Sequence, residues 1–285
     1  MKILITGHKG FVGRNFVKHL EGHEITGIDI KDGLDCRDFF KTNNEVFDLV
    51  IHLAAIVGGR LKIEGDPISV ATDLSIDAEM FNWAVRTKQK KIVYFSSSAA
   101  YPIELQKGPH FLREEEIDLT RIQNPDMSYG WAKLTGEFLA QYARDAGIDV
   151  YVFRPFSGYG EDQDLDYPFP SFIKRIKEKQ DPFEIWGDGT QVRDFVHIDD
   201  VFQTVMKVVE ANYQHPVNIG TGIPTSFIQL ANHCFELINW KPKEIKFHND
   251  KPVGVMFRCA NIEVSHHFWK PEIKLDEGIL RSLEK

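Results

Sequence analysis

Apolar runs the length of a strand alternate with amphipathic stretches along the first half of the chain. Five such runs read as buried strands, namely residues 2–6, 24–29, 47–52, 92–95 and 150–153. Apolar residues recur at helical spacing between them, over residues 35–40, 69–88 and from about residue 125 to residue 142. Alternating strands and helices predict a parallel sheet with right-handed crossovers and helices on both faces, which is a doubly wound α/β fold.

The pattern becomes less regular after Pro155. Short strand-like runs at residues 183–186 and 192–196 mix with helical patterns at residues 169–179 and 199–210. We therefore predict a larger domain over residues 1–155. We expect a smaller C-terminal α/β lobe over residues 156–285, interleaved with returns to the main sheet.

Composition narrows the class of partner and the compartment. A net charge of -8 argues against nucleic acid or an anionic membrane as a partner. The chain has 3 cysteines, which are far apart and lack metal-ligand spacing, so we expect reduced thiols, no metal site and a cytoplasmic setting. Met1 leads directly into a strand, and no apolar run approaches membrane length, so neither a signal peptide nor a membrane anchor is expected.

A glycine-rich turn joins the first predicted strand to the first helix. Gly7 permits the tight turn, Gly10 allows close approach of a pyrophosphate, and Gly13 allows the helix to pack on the strand. The helix N-terminus then offers free N–H groups to phosphate oxygens. The spacing is Gly-x-x-Gly-x-x-Gly, whereas the commoner dinucleotide-binding form has two glycines one residue apart. The turn therefore indicates either a Rossmann-type dinucleotide site or a purely structural turn.

A carboxylate closes the second predicted strand. Asp29 lies sixteen residues after Gly13, where it can accept hydrogen bonds from both hydroxyls of a ribose and repel a 2′-phosphate. This favours NAD over NADP, although the neighbouring Lys31 weakens the exclusion. The alternative is an ordinary turn residue at a strand end.

A tyrosine and a lysine stand four residues apart on the helix that begins near Pro125 or Asp126. Tyr129 and Lys133 therefore share one helix face. A nearby lysine cation stabilises phenolate, so we predict that the pKa of Tyr129 falls from its free value of about 10 towards neutrality. Such a phenol can take or give a proton at an alcohol carbon. A solvated surface pair is the alternative reading. Ser96, Ser97 and Ser98 follow the fourth strand, where a serine hydroxyl can hydrogen-bond the same alcohol or the Tyr129 phenol, or where the serines serve only as turn residues.

Together these motifs resemble the extended short-chain dehydrogenase/reductase superfamily, specifically its nucleotide-sugar epimerases, dehydratases and reductases. The resemblance spans nearly the whole chain and includes the glycine turn, Asp29, residues 52–55, residues 193–200 and residues 217–220. Residues 54–59, 97–102 and 183–189 are similar to GDP-fucose synthases and GDP-mannose 3,5-epimerases.

The resemblance implies roles for individual positions. Ser97, Tyr129 and Lys133 would be the catalytic residues. The cofactor NAD would be held by Gly7, Gly10, Phe11, Val12, Gly13, Asp29, Ile30, Lys31, Asp35, Cys36, Leu53, Ala54, Ala55, Asp73, Phe95, Ser96, Tyr129, Lys133, Pro155 and Phe156. A nucleotide-diphosphate sugar would be bound by Val57, Gly58, Ser97, Ser98, Ser157, Lys174, Trp186, Arg193 and Arg258, with the two arginines on the diphosphate.

Departures from the family pattern limit the chemistry. Ala99 stands where both GDP-sugar enzymes carry an acid/base cysteine, and Pro168 falls where the 3,5-epimerase has its partner residue. Ser98 and Ala99 replace the Asp-Glu pair of the 4,6-dehydratases. Asp73 stands where an asparagine is usual, and Ser157 replaces another asparagine. What remains needs only the tyrosine, the serine and NAD, which is oxidation and reduction at one sugar carbon, C4.

Three functional hypotheses follow from the resemblance. The first is an NAD-dependent nucleotide-sugar epimerase of carbohydrate biosynthesis that acts by transient oxidation at C4. The second is a nucleotide-sugar 4-dehydrogenase or 4-ketoreductase. The third is a non-catalytic sensor of NAD, which the presence of Ser97, Tyr129 and Lys133 together disfavours. The family also implies a homodimer formed through the helices around Leu74 and Tyr129.

Overall fold

Strands and helices alternate through the first half of the chain as the pattern predicts. The computed structural model describes residues 1–58 and 60–285, the side chains of residues 60–62 excepted. The strands in the described residues are β1 Lys2–Thr6, β2 Glu24–Ile28, β3 Leu49–His52, β4 Lys91–Phe95, β5 Phe111–Leu112, β6 Asp149–Pro155, β7 Ser157–Tyr159, β8 Phe183–Trp186, β9 Val192–His197, β10 Val217–Ile219, β11 Pro224–Ser226, β12 Ile245–His248 and β13 Phe257–Ala260.

The helices follow the amphipathic stretches. In the described residues they are α1 Phe11–His19, α2 Cys36–Thr42, α3 Arg60–Gly65, α4 Val70–Thr87, α5 Met127–Asp145, α6 Pro168–Lys177, α7 Ile198–Glu210, α8 Phe227–Leu237 and α9 Leu275–Glu284. Helix α5 begins within two residues of the predicted start. Helices α8 and α9 were not predicted from the sequence pattern.

The main sheet is parallel and carries the fold. In the described part of the chain its order is β10-β6-β4-β3-β1-β2, with β1 paired to both β2 and β3. Along β1, Ile3 and Ile5 enter the apolar core on one side of the sheet, while Leu4 enters the core on the other. A strand buried on both faces must be apolar throughout, which explains the unbroken runs in the sequence. The predicted doubly wound, Rossmann-type α/β fold is confirmed.

A smaller lobe lies beyond the main sheet. Its strands form a sheet ordered β11-β9-β13-β5, with β7 also paired to β9, and a separate pair of β12 and β8. Its own apolar core is rich in phenylalanine and includes Phe172, Phe183, Phe227 and Phe235. Strand β10 comes from this half of the sequence but pairs with β6 in the main sheet, Val217 opposite Phe153. The division at residue 155 remains our proposal for the domain organisation.

Candidate active site

The turn between β1 and α1 forms a cradle of backbone. Gly7 has a φ of 71°, and a Cβ at this position would lie 2.9 Å from the amide nitrogen of Ala54. A Cβ on Gly13 would overlap the carbonyl oxygen of Gly7. Gly10 is the N-cap of α1 with no side-chain cap, and the first turn holds no acidic residue. The first amides of α1 are therefore free to bind phosphate, which fits the dinucleotide predicted here.

Asp29 ends β2 beside this cradle and is only 7% exposed. Its carboxylate accepts from the backbone amides of Lys9 and Lys31, each at 2.8 Å. These bonds tie the glycine turn to the end of β2, and a carboxylate has further lone pairs for a ribose hydroxyl. The ribose role of Asp29, like the roles of its neighbours Ile30 and Lys31, remains a proposal.

The next two predicted cofactor residues open helix α2. The Asp35 carboxylate accepts from the Arg37 amide at 2.9 Å and from its guanidinium, which holds the pKa of Asp35 below its ordinary value. Burial raises the pKa of the Cys36 thiol to about 12, so this cysteine is an inert packing residue. Arg37 also donates to the Ser75 hydroxyl at 3.0 Å and so links α2 to α4.

The segment after β3 is held by hydrogen bonds to buried side chains. The Thr6 hydroxyl accepts from the amides of Leu53 and Ala54, each at 3.2 Å. The Asp73 carboxylate accepts from the amide of Ile56. Asp73 therefore acts as a backbone acceptor here, a task that an asparagine oxygen can also perform. Ala55, Val57 and Gly58 continue this segment, and Gly59 lies outside the described residues.

Close packing at Gly130 brings the Ser97 side chain into contact with the Tyr129 hydroxyl. A Cβ on Gly130 would overlap the carbonyl oxygen of Ala99, so the start of α5 touches the turn after β4. The amide of Asp126 donates to the same carbonyl at 2.9 Å. In this arrangement the Ser97 side chain hydrogen-bonds the Tyr129 hydroxyl, which favours the phenolate. The structure therefore brings these two predicted catalytic residues together.

Lys133 lies one turn further along α5 and is buried. Its Nζ is 5.7 Å from the ring centroid of Tyr129 and 5.3 Å from that of Tyr94. Both contacts are cation–π contacts. The three predicted catalytic residues are thus adjacent near the carboxyl end of β4, on the same edge of the parallel sheet as the glycine cradle, where ligands bind in open α/β sheets.

The predicted lowering of the pKa of Tyr129 is wrong for the protein without a bound dinucleotide. Burial raises the pKa of Tyr129 well above its ordinary value, and the nearby carboxylates of Asp73 and Asp77 raise it further. The hydrogen bond from Ser97 opposes these effects without cancelling them. The sequence argument counted the cation of Lys133 and omitted the acids on the neighbouring helix α4.

Asp77 is the main residue of the site that the sequence reasoning missed. Its carboxylate accepts from the Tyr94 hydroxyl at 2.5 Å and lies 3.2 Å from Nε2 of His52. Burial alone would raise the pKa of Asp77, but Lys133, His52 and Tyr94 outweigh it and hold that pKa below its ordinary value. Asp77 follows Asp73 by four residues, so helical spacing was the signal that could have indicated it.

The predicted sugar-site arginines are both bound to other parts of the protein. The Arg193 guanidinium donates to the carbonyls of Val192, Val255 and Val253. The Arg258 guanidinium donates to Gln106 and, at 2.7 Å, to the carboxylate of Asp126, the N-cap of α5. Arg193 therefore also has a structural role within the smaller lobe, and Arg258 joins that lobe to the start of α5.

The remaining predicted residues fall into two groups. Phe95, Ser96, Ser98, Pro155, Phe156 and Ser157 lie at the carboxyl ends of β4 and β6, on the same edge of the sheet as Tyr129. Lys174 and Trp186 lie in the smaller lobe and are exposed. Lys174 pairs with Glu178 at 3.9 Å and lines an open cavity of about 490 Å³ that Ser97, Tyr129 and Lys133 do not line.

The described residues contain neither a metal-binding cluster nor a helix that could cross a membrane. Among them, no group of three or more His, Cys, Asp or Glu side chains is arranged to hold a metal ion. None of the helices in residues 1–58 and 60–285 combines the length and the apolar character needed to cross a membrane.

The sequence of this chain is similar to those of known proteins. A model of the NAD dependent epimerase/dehydratase family matches residues 3–220. GDP-mannose 3,5-epimerase 1 from Oryza sativa subsp. indica is 28% identical over 314 residues, covering 98% of this chain and 80% of the relative. A dTDP-4-dehydro-6-deoxy-D-allose reductase from Streptomyces sp. is 26% identical over 291 residues, covering 91% of this chain and 88% of the relative.

A solved structure has the same architecture. UDP-glucuronic acid 4-epimerase from Bacillus cereus, in complex with UDP-glucuronic acid and NAD, superimposes with a TM-score of 0.84 at 24% identity. The superposition covers 100% of this chain and 98% of that chain. At this identity the likeness shows the fold.

Proposed function

This chain belongs to the NAD-dependent epimerase/dehydratase family, and on that premise we propose that it is a nucleotide-sugar epimerase that oxidises and reduces its sugar at C4. The observation that carries the proposal is the position of Tyr129. Its hydroxyl meets the Ser97 side chain, its ring contacts Lys133, and all three lie at the carboxyl edge of the main sheet, the edge that also holds the glycine cradle. No other phenol among the described residues combines these contacts.

The proposed reaction assigns one task to each residue. When bound, the dinucleotide supplies a hydride acceptor and donor at its nicotinamide ring. Tyr129 takes the proton of the C4 hydroxyl as the sugar is oxidised, and returns it as the sugar is reduced. Ser97 hydrogen-bonds the same oxygen, and Lys133 places a positive charge beside the phenolate. If the keto sugar turns about its diphosphate link between the two steps, the product is the C4 epimer.

The substrate class follows from the relatives. Their names specify GDP-, dTDP- and UDP-linked sugars, so we propose a nucleotide-diphosphate sugar as the substrate of this chain. Ala99 supports a reaction at C4, because it cannot supply the second acid/base group that epimerisation at other carbons needs.

A 4-ketoreductase or 4-dehydrogenase is the second candidate. One observation favours the ketoreductase: the raised pKa of Tyr129 suits a group that donates a proton to a ketone. The dTDP-4-dehydro-6-deoxy-D-allose reductase among the relatives is consistent with that outcome. In this case the keto sugar enters or leaves, and the dinucleotide is consumed in stoichiometric amounts.

Product analysis separates the candidates. The protein is incubated with NAD and a panel of GDP-, UDP-, CDP-, ADP- and dTDP-sugars, and NMR and absorbance follow the sugar and NADH. An epimerase forms the C4 epimer without net NADH, whereas a dehydrogenase accumulates NADH with the ketone. Tyr129→Phe keeps the fold and the dinucleotide cradle but removes the proton carrier, so turnover should fall at least about a thousandfold. Full turnover by Tyr129→Phe would refute the mechanism.

We also propose a cytoplasmic homodimer that pairs through α4 and α5. Both helices leave large apolar side chains exposed, including Leu74, Val85, Trp131, Phe138 and Tyr142. The rings of Phe138 and Tyr142 pack at 5.1 Å and form one apolar patch on α5. Light scattering should give twice the chain mass, and Phe138→Glu should give a monomer.

A further inference from the structure

Helix α4 presents two acidic side chains, one turn apart, to the helix that carries Tyr129. Asp73 and Asp77 are each only 2% exposed. The Asp77 carboxylate bonds the Tyr94 hydroxyl and lies 3.2 Å from Nε2 of His52. The Asp73 carboxylate accepts from the backbone of residue 56. Both acids are therefore fixed in place by hydrogen bonds.

The two helices approach closely where these acids lie. A Cβ on Gly136 of α5 would overlap the Tyr94 hydroxyl and would lie 2.7 Å from the Asp77 carboxylate. Lys133, one turn before Glu137 and only 4% exposed, is packed over the Tyr94 ring in the same layer. The absence of a side chain at Gly136 allows this layer of charged and phenolic groups to lie directly beneath α5.

Around Tyr129 the negatively charged side chains of this layer outnumber the positively charged ones. Lys133 supplies one cation, and Asp73 and Asp77 supply two carboxylates. The other titratable groups nearby are His52 on Asp77, Tyr94 beneath Lys133, Glu137 further along α5 and Tyr167 before α6. Glu137 is already paired with Arg154 at 2.7 Å. Lys133 is therefore shared, and the charge beside the Tyr129 hydroxyl is net negative.

We propose that Asp73 and Asp77 are positioning residues that offset Lys133 and keep the Tyr129 hydroxyl protonated until a positive charge enters the nicotinamide pocket. In the free protein Tyr129 is then a proton donor and cannot accept a proton. Oxidised dinucleotide carries a positive ring, and its binding would convert Tyr129 into an acceptor. The inference rests on the proposed function for its role in catalysis, but the ionisation of Tyr129 can be measured without turnover.

Phenolate absorbance tests this in the protein without dinucleotide. Near-ultraviolet difference spectra are recorded against pH for each form and for the same form carrying Tyr129→Phe, and the subtraction isolates Tyr129. In the wild type, Tyr129 should stay protonated beyond pH values near about 10, where free tyrosine ionises. In Asp73→Asn and in Asp77→Asn the phenolate should appear at a pH lower by about one unit or more, because one negative charge is removed.

A matched control lies on the same helix. Glu79→Gln also removes one negative charge from α4, but Glu79 is not among the groups that raise the pKa of Tyr129, so the titration should not move. Saturating NAD should lower the pH at which wild-type Tyr129 ionises, and NADH should lower it much less. Circular dichroism checks that each variant is folded. If Asp77→Asn does not fold, Asp73→Asn carries the test, because its amide oxygen can still accept from residue 56.

Two results would overturn the inference. One is a wild-type Tyr129 that ionises below about pH 10 without dinucleotide, under the value for free tyrosine. The other is a folded Asp73→Asn protein with a wild-type titration. If the titrations shift as expected but no nucleotide sugar is converted, the proposed function fails while the charge arrangement stands.

Discussion

Glu137 and Arg154 form an ion pair at 2.7 Å in which each side chain is only 2% exposed. Glu137 also accepts from the Ser96 hydroxyl, and Arg154 donates to the Tyr101 hydroxyl at 3.0 Å. The pair joins α5 to the end of β6. Because Glu137 lies one turn after Lys133, this buried network fixes the helix that carries the proposed catalytic residues.

Glu137→Gln should destabilise the protein strongly. The substitution leaves the buried Arg154 cation without its carboxylate, and breaking such a pair costs about 3–5 kcal/mol of the free energy of unfolding. Urea denaturation measures the change. Glu210→Gln is the control, because it breaks an exposed pair with Lys207 at 2.9 Å and should cost less than about 1 kcal/mol. Equal losses in the two variants would contradict the anchoring role of Glu137.

Gly136→Ala should also destabilise the protein, against helix propensity. Alanine favours a helix over glycine, but the added Cβ would overlap the Tyr94 hydroxyl of β4 and crowd the Asp77 carboxylate of α4, and so push α5 away from both. We expect a loss of about 1–3 kcal/mol in the free energy of unfolding. The control is Gly108→Ala, where a Cβ meets nothing within 4 Å. A gain in stability for Gly136→Ala would show that the two helices have room to separate.

Asp73 should make stability depend on pH. Burial raises its pKa from 3.8 to about 6 in the folded protein, so between these values the folded chain binds more protons than the unfolded chain. The free energy of unfolding therefore gains from this carboxyl at low pH and loses that gain as pH rises to about 6, by on the order of 3 kcal/mol.

Asp73→Asn removes the contribution of this carboxyl to the pH dependence of the free energy of unfolding. Urea denaturation at several pH values between about 4 and 7 should show that the variant loses less stability with rising pH than the wild type. Parallel curves for the two proteins would mean that Asp73 ionises in the folded chain at its ordinary pKa.

Asp29→Ala should change the choice of dinucleotide. A carboxylate that accepts from the ribose hydroxyls favours NAD and repels a 2′-phosphate, so its loss should weaken NAD binding about tenfold and NADP binding less. The substitution also frees the amides of Lys9 and Lys31, which affects both ligands alike. The ratio of the NAD and NADP dissociation constants, measured by calorimetry, therefore reports the effect of the Asp29 charge alone.

Asp38→Ala, which removes an exposed acid of α2 paired with Lys41, is the control for this measurement. Its dissociation constants should match those of the wild type. An unchanged ratio in Asp29→Ala would assign the exclusion of the 2′-phosphate to another residue.

The sequence predicted the parts of the molecule whose physical cause is local. Strands buried on both faces must be continuously apolar, and a glycine turn before a helix needs no distant partner, so β1, α1 and the main sheet were predicted correctly. The proximity of Ser97 and Tyr129 could be predicted, because both were expected at the carboxyl edge of one parallel sheet, where ligands bind. Strand β5 has two residues, which are too few positions to show a period.

The electrostatics of the site could not be predicted in the same way. The pKa of Tyr129 depends on carboxylates of α4, which come from a segment more than fifty residues earlier in the chain. The Arg258 contact with Asp126 likewise joins residues 132 positions apart. Such pairs are set by how elements pack, and a single sequence contains no record of that packing.

The pairing of β10 with β6 limits how the enzyme can be recombined. A chimera that exchanged everything after residue 155 with a relative would replace β10 and also α7, whose Val201, Val205 and Val208 belong to the core of the main sheet. The β10 and α7 of the relative would then have to pack into a core whose other side chains do not complement them. Transplanting a sugar specificity into this scaffold therefore calls for separate grafts on either side of residues 198–219, with that native stretch left in place.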